Sequence, residues 1–236
     1  MKNVKPIFLL FILLLAISCN DKNDDDSTVI GDVIVVSKKS GDNTVYALTF
    51  YAYAYSSLKS VKVTGVVNPV SVDLTSTGTY SNFDFIKVPT DNDFSTTKPS
   101  IDTFTFNAEF ENGSTYVAQD ILTSDILEPV TIETCQYNVT NDRAEFSWTA
   151  LTNADSYSID ILDDSGYQVF MSNTIANTYT KVYLESSTSG WKTGYPVTGK
   201  TYTVRIFAYK YEDSNNPDLY NVQSTSYSQN TLVWGQ

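Results

Sequence analysis

The chain has 236 residues, 15 Lys and Arg against 27 Asp and Glu, a formal net charge of −12, two cysteines and no histidine. An acidic excess of this size repels nucleic acid and anionic membrane surface, so neither is expected as a partner. The missing histidine excludes Ser-His and Cys-His nucleophile pairs, His-ligated zinc and the commonest general base near neutral pH, and the chain is expected not to be an enzyme.

The first element is an unbroken apolar run from Ile7 to Ile17, "IFLLFILLLAI", preceded by Lys2 and Lys5. A membrane-spanning helix needs about 20 residues, so a basic start followed by this shorter run reads as a secretory signal. The run ends at small Ser18 and Cys19. "AISC" resembles the lipobox of bacterial lipoproteins, in which the cysteine becomes the first mature residue and carries acyl chains. That resemblance implies cleavage after Ser18, lipidation of Cys19 and a membrane partner reached through an N-terminal lipid anchor. Two or more acyl chains hold a protein stably. The next residues, "NDKNDDDS", resemble the export signal of Bacteroidetes surface lipoproteins, which implies an outer-membrane protein facing the cell exterior. The same run also reads as a solvated tether, because clustered like charges repel and bury no apolar surface.

With Cys19 lipidated, Cys135 has no mate in the chain, which excludes a disulfide framework and a cysteine-ligated zinc site. Cys135 lies in "VTIETCQYNV" and reads as a small apolar strand residue.

After Ser27 no long stretch has helical periodicity. Short runs rich in Val, Ile, Thr, Tyr and Phe alternate with Gly, Asn, Asp and Ser clusters. That pattern predicts an all-β protein with two tandem antiparallel β-sandwich domains. The predicted organisation is a signal over 1–18, an acidic tether over 19–28, an immunoglobulin-like sandwich over 29–126 and a second sandwich over 127–236. The first half offers "GDVIVVSKK", "NTVYALTFYAYAY", "KSVKVTGVV", "VSVDLT", "YSNFDFIKV", "DTFTFNAEF" and "STYVAQDIL" as strands. "ENG" predicts a hairpin between the last two, and "PTDNDFSTTKPS" a long loop.

In the second half, "TYTVRIFAYKY" places Tyr202, Val204, Ile206 and Ala208 on one face and Thr203, Arg205, Phe207 and Tyr209 on the other. Period two with one apolar face predicts a half-buried antiparallel strand. "AEFSWTALTNADSYSIDILDDSG" followed by "GKTYTVRIFAYKYE" resembles a fibronectin type III domain, over about Pro129 to Trp234. The resemblance implies that Trp148 anchors the core, that Tyr157 opens the third strand and that Tyr202 is a tyrosine corner. "SSTSGWKTGYPVTGK" departs from that family, which has a short connection there.

Two sets of aromatics are candidate ligand-binding residues. Tyr51, Tyr53 and Tyr55 alternate with Leu48, Phe50, Ala52 and Ala54, so one set faces the core. With the tyrosines outward they make a platform on which sugar rings stack; with the tyrosines inward, or against the other domain, they are structural. Trp191 and Tyr195 lie in the long loop, either as a binding tip or with the tryptophan folded back to plug the core. Asp91–Asp93 and Asp163–Gly166 hold oxygens of the kind calcium takes, but Asp and Asn serve turn geometry and neither run has a full loop signature. No cofactor or metal is expected. The expected role is binding or spacing, toward a glycan in polysaccharide capture or toward another surface protein. The segment 222–236 is the candidate edge strand for the protein partner.

Overall fold

The computed structural model describes residues 27–78, 82–192, 194, 196–212 and 221–236. Cys19, most of the acidic tether and Tyr195 lie outside them. No helix among the described residues is long and apolar enough to cross a membrane.

The first half contributes eight strands: β1 (Val29–Ser40), β2 (Asn43–Ala54), β3 (Leu58–Gly65), β4 (Val70–Asp73), β5 (Thr75–Ser76), β6 (Asp84–Lys87), β7 (Asp102–Phe110) and β8 (Thr115–Leu122). The second adds β9 (Ile132–Asn138), β10 (Arg143–Trp148), β11 (Ser156–Leu162), β12 (Gln168–Met171), β13 (Ile175–Ala176), β14 (Lys181–Leu184), β15 (Thr201–Tyr211) and β16 (Val222–Val233). The turns follow from residue type. Gly41, at φ +59, lets a two-residue turn close the β1–β2 hairpin between paired Ser40 and Asn43. The polar segment between β6 and β7 runs as a loop with one short 3-10 turn at Asp91–Asp93.

Each half closes on its own core. One draws on Val29 to Ile126, including Val33, Phe50, Phe104 and Phe106; the other draws on Leu127 to Trp234, including Phe146, Trp148, Tyr157 and Ile206. Fully burying one such side chain contributes roughly 1.5–3 kcal/mol. Alternation places them: Tyr202, Val204, Ile206 and Ala208 are all buried, and the Tyr202 hydroxyl accepts the Val197 amide at 3.0 Å, as a tyrosine corner requires. Trp148 packs edge-on against Tyr157, ring centroids 5.4 Å apart.

The two sandwiches share a sheet. A nine-stranded sheet runs β12-β11-β15-β16-β1-β2-β6-β5, with β13 on β11; a four-stranded sheet runs β4-β3-β7-β8 and a three-stranded one β14-β10-β9. The join is β1 against β16, Val35 to Ser224 through Lys38 to Tyr227, and it is parallel where every other pair among the described strands is antiparallel. Val35 and Ser37 on β1 share a side with Ser224 and Ser226 on β16, the side of both cores. The smaller sheets therefore cover one face of the large sheet side by side and leave the opposite face uncovered by a second sheet, although Asp32, Val45, Ala47 and Thr49 there are buried.

This corrects the expectation for 222–236. β16 is not a free edge: β15 pairs it along one side, β1 along Ser224–Tyr227 on the other. Further along, the Ser228 hydroxyl donates to the Val130 carbonyl at 2.5 Å, just before β9.

Candidate functional site

Period two carries the residues of the open face from strand to strand. On β15 it shows Arg205, Phe207 and Tyr209; on β16, Thr225, Tyr227 and Gln229; on β1, Asp32, Ile34, Val36 and Lys38; on β2, Val45, Ala47, Thr49, Tyr51 and Tyr53. One row crosses the join as Ser158, Phe207, Tyr227, Lys38 and Val45, each opposite the next.

Two rings of this row cluster with Tyr209 from a neighbouring one. Phe207 lies 5.3 Å from Tyr227 and 6.2 Å from Tyr209, nearly parallel to the latter at 17°. The Tyr209 hydroxyl is fixed against the Ser158 hydroxyl at 3.0 Å. The Arg205 guanidinium sits 5.3 Å from the Tyr227 ring centroid. Beside them opens a cleft of about 710 Å³ whose walls include Lys38, Lys39, Phe94, Arg205, Tyr227 and Gln229. Lys38 is already engaged, 2.6 Å from Asp91 and 4.0 Å from the Phe94 ring. Lys39 and Arg205 still give the cleft a positive bias in a chain of net charge −12. The cleft forms where the two modules meet.

The tyrosine row divides. Phe50, Ala52 and Ala54 are buried in the core, so the tyrosines face outward. Tyr51 and Tyr53 are half-buried on β2, while Tyr55 lies beyond its end and is 66% exposed. The Tyr51 hydroxyl donates to Asp84 at 3.0 Å; burial first, then that bond, pushes its pKa up to about 12. Tyr53 and Tyr55 meet edge-on at 5.1 Å.

Trp191 folds back. Its ring lies 4.9 Å from Phe170 and 5.3 Å from Trp234, the latter edge-on, and its indole N–H reaches the Glu185 carbonyl at 3.4 Å. It closes the end of the second core. The two acidic runs serve turns and ion pairs. Asp93 accepts from the Thr90 amide and hydroxyl and pairs with Lys87, and Asp163 accepts from the Ser165 and Tyr167 amides.

A third acidic group was not foreseen. Asp32, Asp120 and Glu212 converge at the N-terminal end of the β1–β16 join. Burial, reinforced by the charges of Asp120 and Glu212, pushes the Asp32 carboxyl up to about 7. Partial burial and Asp120 push Glu212 to about 7 as well, and burial raises Asp120 against the amides that hold it.

Strand order and open face together define an all-β protein of two immunoglobulin-like sandwiches, the second with the three-against-four layers of a fibronectin type III domain. No protein-family model and no curated protein matches the chain. Among solved structures it is similar to a two-domain fibronectin type III segment of chicken tenascin, at 16% identity, TM-score 0.30, over 86% of this chain and 97% of that one. It is also similar to the BSP domain of a biofilm associated protein, at 12% identity, TM-score 0.23, over 87% and 29% of the chains. A third likeness is to a 1.5-MDa bacterial ice-binding adhesin, at 12% identity, TM-score 0.29, over 87% and 65%. At such TM-scores the likeness carries no argument, and the fold rests on the strand pairing above.

Proposed function

We propose that the chain is a non-catalytic binding module of the bacterial cell surface, anchored by lipid on Cys19, whose open sheet face holds a glycan. The observation that carries this reading is the Phe207–Tyr209–Tyr227 ring cluster beside the Lys39 and Arg205 cleft. Sugar rings stack their C–H faces on such rings, and the hydroxyl rim finds Gln229. Carboxylate or sulfate groups on the sugar find Lys39 and Arg205, so the ligand class is an acidic glycan. Tyr53 and Tyr55 extend the surface on β2.

Binding rather than turnover is supported by the chemistry present. There is no histidine, and the tight carboxylate group found among the described residues has Asp32 nearly closed to solvent instead of flanking a sugar-sized cleft. The protein-partner reading loses part of its candidate edge, because β16 is paired on both sides over Ser224–Tyr227.

A glycan array followed by calorimetry tests the proposal. Phe207→Ala, Tyr227→Ala and Arg205→Ala each lower affinity for the bound acidic glycan at least tenfold, while Tyr53→Ala and Tyr55→Ala cost less. Trp191→Ala leaves binding intact wherever the fold is kept. No binding to any glycan, or full affinity in the three open-face variants, overturns it. Radiolabelled palmitate incorporated by the native chain and absent from Cys19→Ala tests the anchor.

A further inference from the structure

Three carboxylates from distant stretches meet beside the join: Asp32 on β1, Asp120 on β8, and Glu212 just past the end of β15. One oxygen of each lies within 4.8 Å of the other two. The charges acting on Asp32 come from Asp120 and Glu212, and the charge acting on Glu212 from Asp120, so like faces like. None of the ion pairs among the described residues involves any of the three. Folding has concentrated negative charge here without bringing a cationic side chain to it.

A second observation points to what is bound. Asp32 is only 9% exposed, and its Oδ1, closed to solvent, has no hydrogen-bond donor. That oxygen, in a residue whose carboxyl crowds two others, is unfavourable unless a proton or a cation completes it. The surrounding backbone fixes the group in that geometry. The Val33 amide donates to Asp120 Oδ2 at 2.7 Å and the Ile121 amide to Oδ1 at 2.8 Å, while the Val222 amide bonds to the Asp32 carboxylate. The Asp120 and Glu212 side chains hydrogen-bond one another, which needs one proton between them, and a cation takes that proton's place. Glu212 is open to solvent, which supplies an entry path, and the Asn221 side chain beside it adds a neutral amide group.

We propose that Asp32, Asp120 and Glu212 form a binding site for a hard divalent cation, calcium by its chemistry, that ties the two sandwiches together at their join. The donor set is all oxygen, with no imidazole or thiolate, which suits calcium or magnesium and not zinc. Three carboxylates binding through one or both oxygens, with Asn221 and water, reach the six to eight oxygens calcium takes. Magnesium holds to a strict octahedron and keeps most of its own water. The ligands come from β1 and β8 of the first module and from the end of β15 in the second, so the cation bridges the modules where β16 has only begun to pair with β1. The site is independent of the glycan reading.

The test uses the full chain, stripped with EDTA and dialysed. Calorimetric titration with calcium chloride gives one site per chain. Millimolar calcium raises the thermal midpoint by about 3–8 °C over EDTA, as a ligand at many times its dissociation constant does. Asp32→Asn and Glu212→Gln remove like charge, so they stay folded in EDTA; each weakens calcium binding at least tenfold and abolishes the shift. If Asp32→Asn fails to fold, the solvent-facing Glu212→Gln still decides. Absence of heat and of any shift in the native chain overturns the site, as does an equal shift in both variants. A response to magnesium as large as that to calcium at the same concentration overturns the assignment to calcium.

Discussion

The Ser37 hydroxyl donates to the Leu127 carbonyl at 2.6 Å, and the Leu127 amide in turn donates to the Ser224 hydroxyl at 3.0 Å. One residue of the connecting segment is thereby held to β1 on one side and β16 on the other, with all three closed to water. Ser37→Ala leaves a buried carbonyl without a donor, and Ser224→Ala leaves a buried amide without an acceptor. Each costs about 1–3 kcal/mol. Because both bonds hold the same residue, the double variant loses less than the sum. Urea unfolding of the four chains checks this; strictly additive losses would show that Leu127 does not couple the modules.

Gly31 is required for a different reason. A Cβ there would lie 2.5 Å from Cδ2 of the Phe106 ring, which is itself fully buried under β1. Gly31→Ala forces the ring or the strand to move and costs about 1–3 kcal/mol, the usual penalty of overpacking. Phe106→Leu in the same chain recovers part of that loss, because it removes the ring the new methyl meets. Denaturant midpoints of the single and double variants test the claim.

The elements were legible in the sequence because alternation states which residues share a face. It found Tyr202, Val204, Ile206 and Ala208 for the second core, while Trp148 and Tyr157 came from the resemblance to a fibronectin type III domain. It also set Phe207 and Tyr209 together on the opposite face, so the open-face rings were visible as aromatics on the wrong side of a half-buried strand. Period two does not say which strand lies alongside, and the join therefore stayed hidden. The one local sign was Ser224 and Ser226 at core parity, small polar residues fully buried opposite Lys210 and Ala208. Tyr227, the Lys39 and Arg205 cleft and the Asp32–Asp120–Glu212 group exist only once β1 and β16 meet. Trp191 was ambiguous for a similar reason: its two packing partners, Phe170 and Trp234, come from either side of it in the chain.

Cys135 sits half-buried on β9, its sulfur 3.7 Å from the Thr231 carbonyl. Burial pushes the thiol from 9.0 up to about 11, so at pH 8 the thiolate fraction falls about a hundredfold. In a Cys19→Ala chain, which leaves this single thiol, iodoacetamide labels the folded protein about a hundred times more slowly than the urea-unfolded one. Equal rates would mean that β9 opens faster than the reagent reacts.

Glu128 sets a pH dependence in the segment between the modules. Burial alone would raise its carboxyl, but hydrogen bonds from Tyr46 and Thr44 and the charges of Lys98 and Lys39 outweigh it and hold the pKa below 4.5. The Tyr46 hydroxyl donates directly to Glu128 Oε1, and that phenol is pushed up to about 12, by burial first and by the same bond second. A carboxyl depressed on folding binds fewer protons folded than unfolded, so its stabilisation is complete above 4.5 and is lost as pH falls through the folded value. The native chain is therefore more stable than Glu128→Gln at pH 6, and the gap closes between pH 4.5 and the lower folded value. Because much of the side chain remains solvated, the gap is modest. Guanidinium midpoints of both chains from pH 6 to pH 3 measure it, and a gap that widens on acidification would show that Glu128 is not held in its charged form.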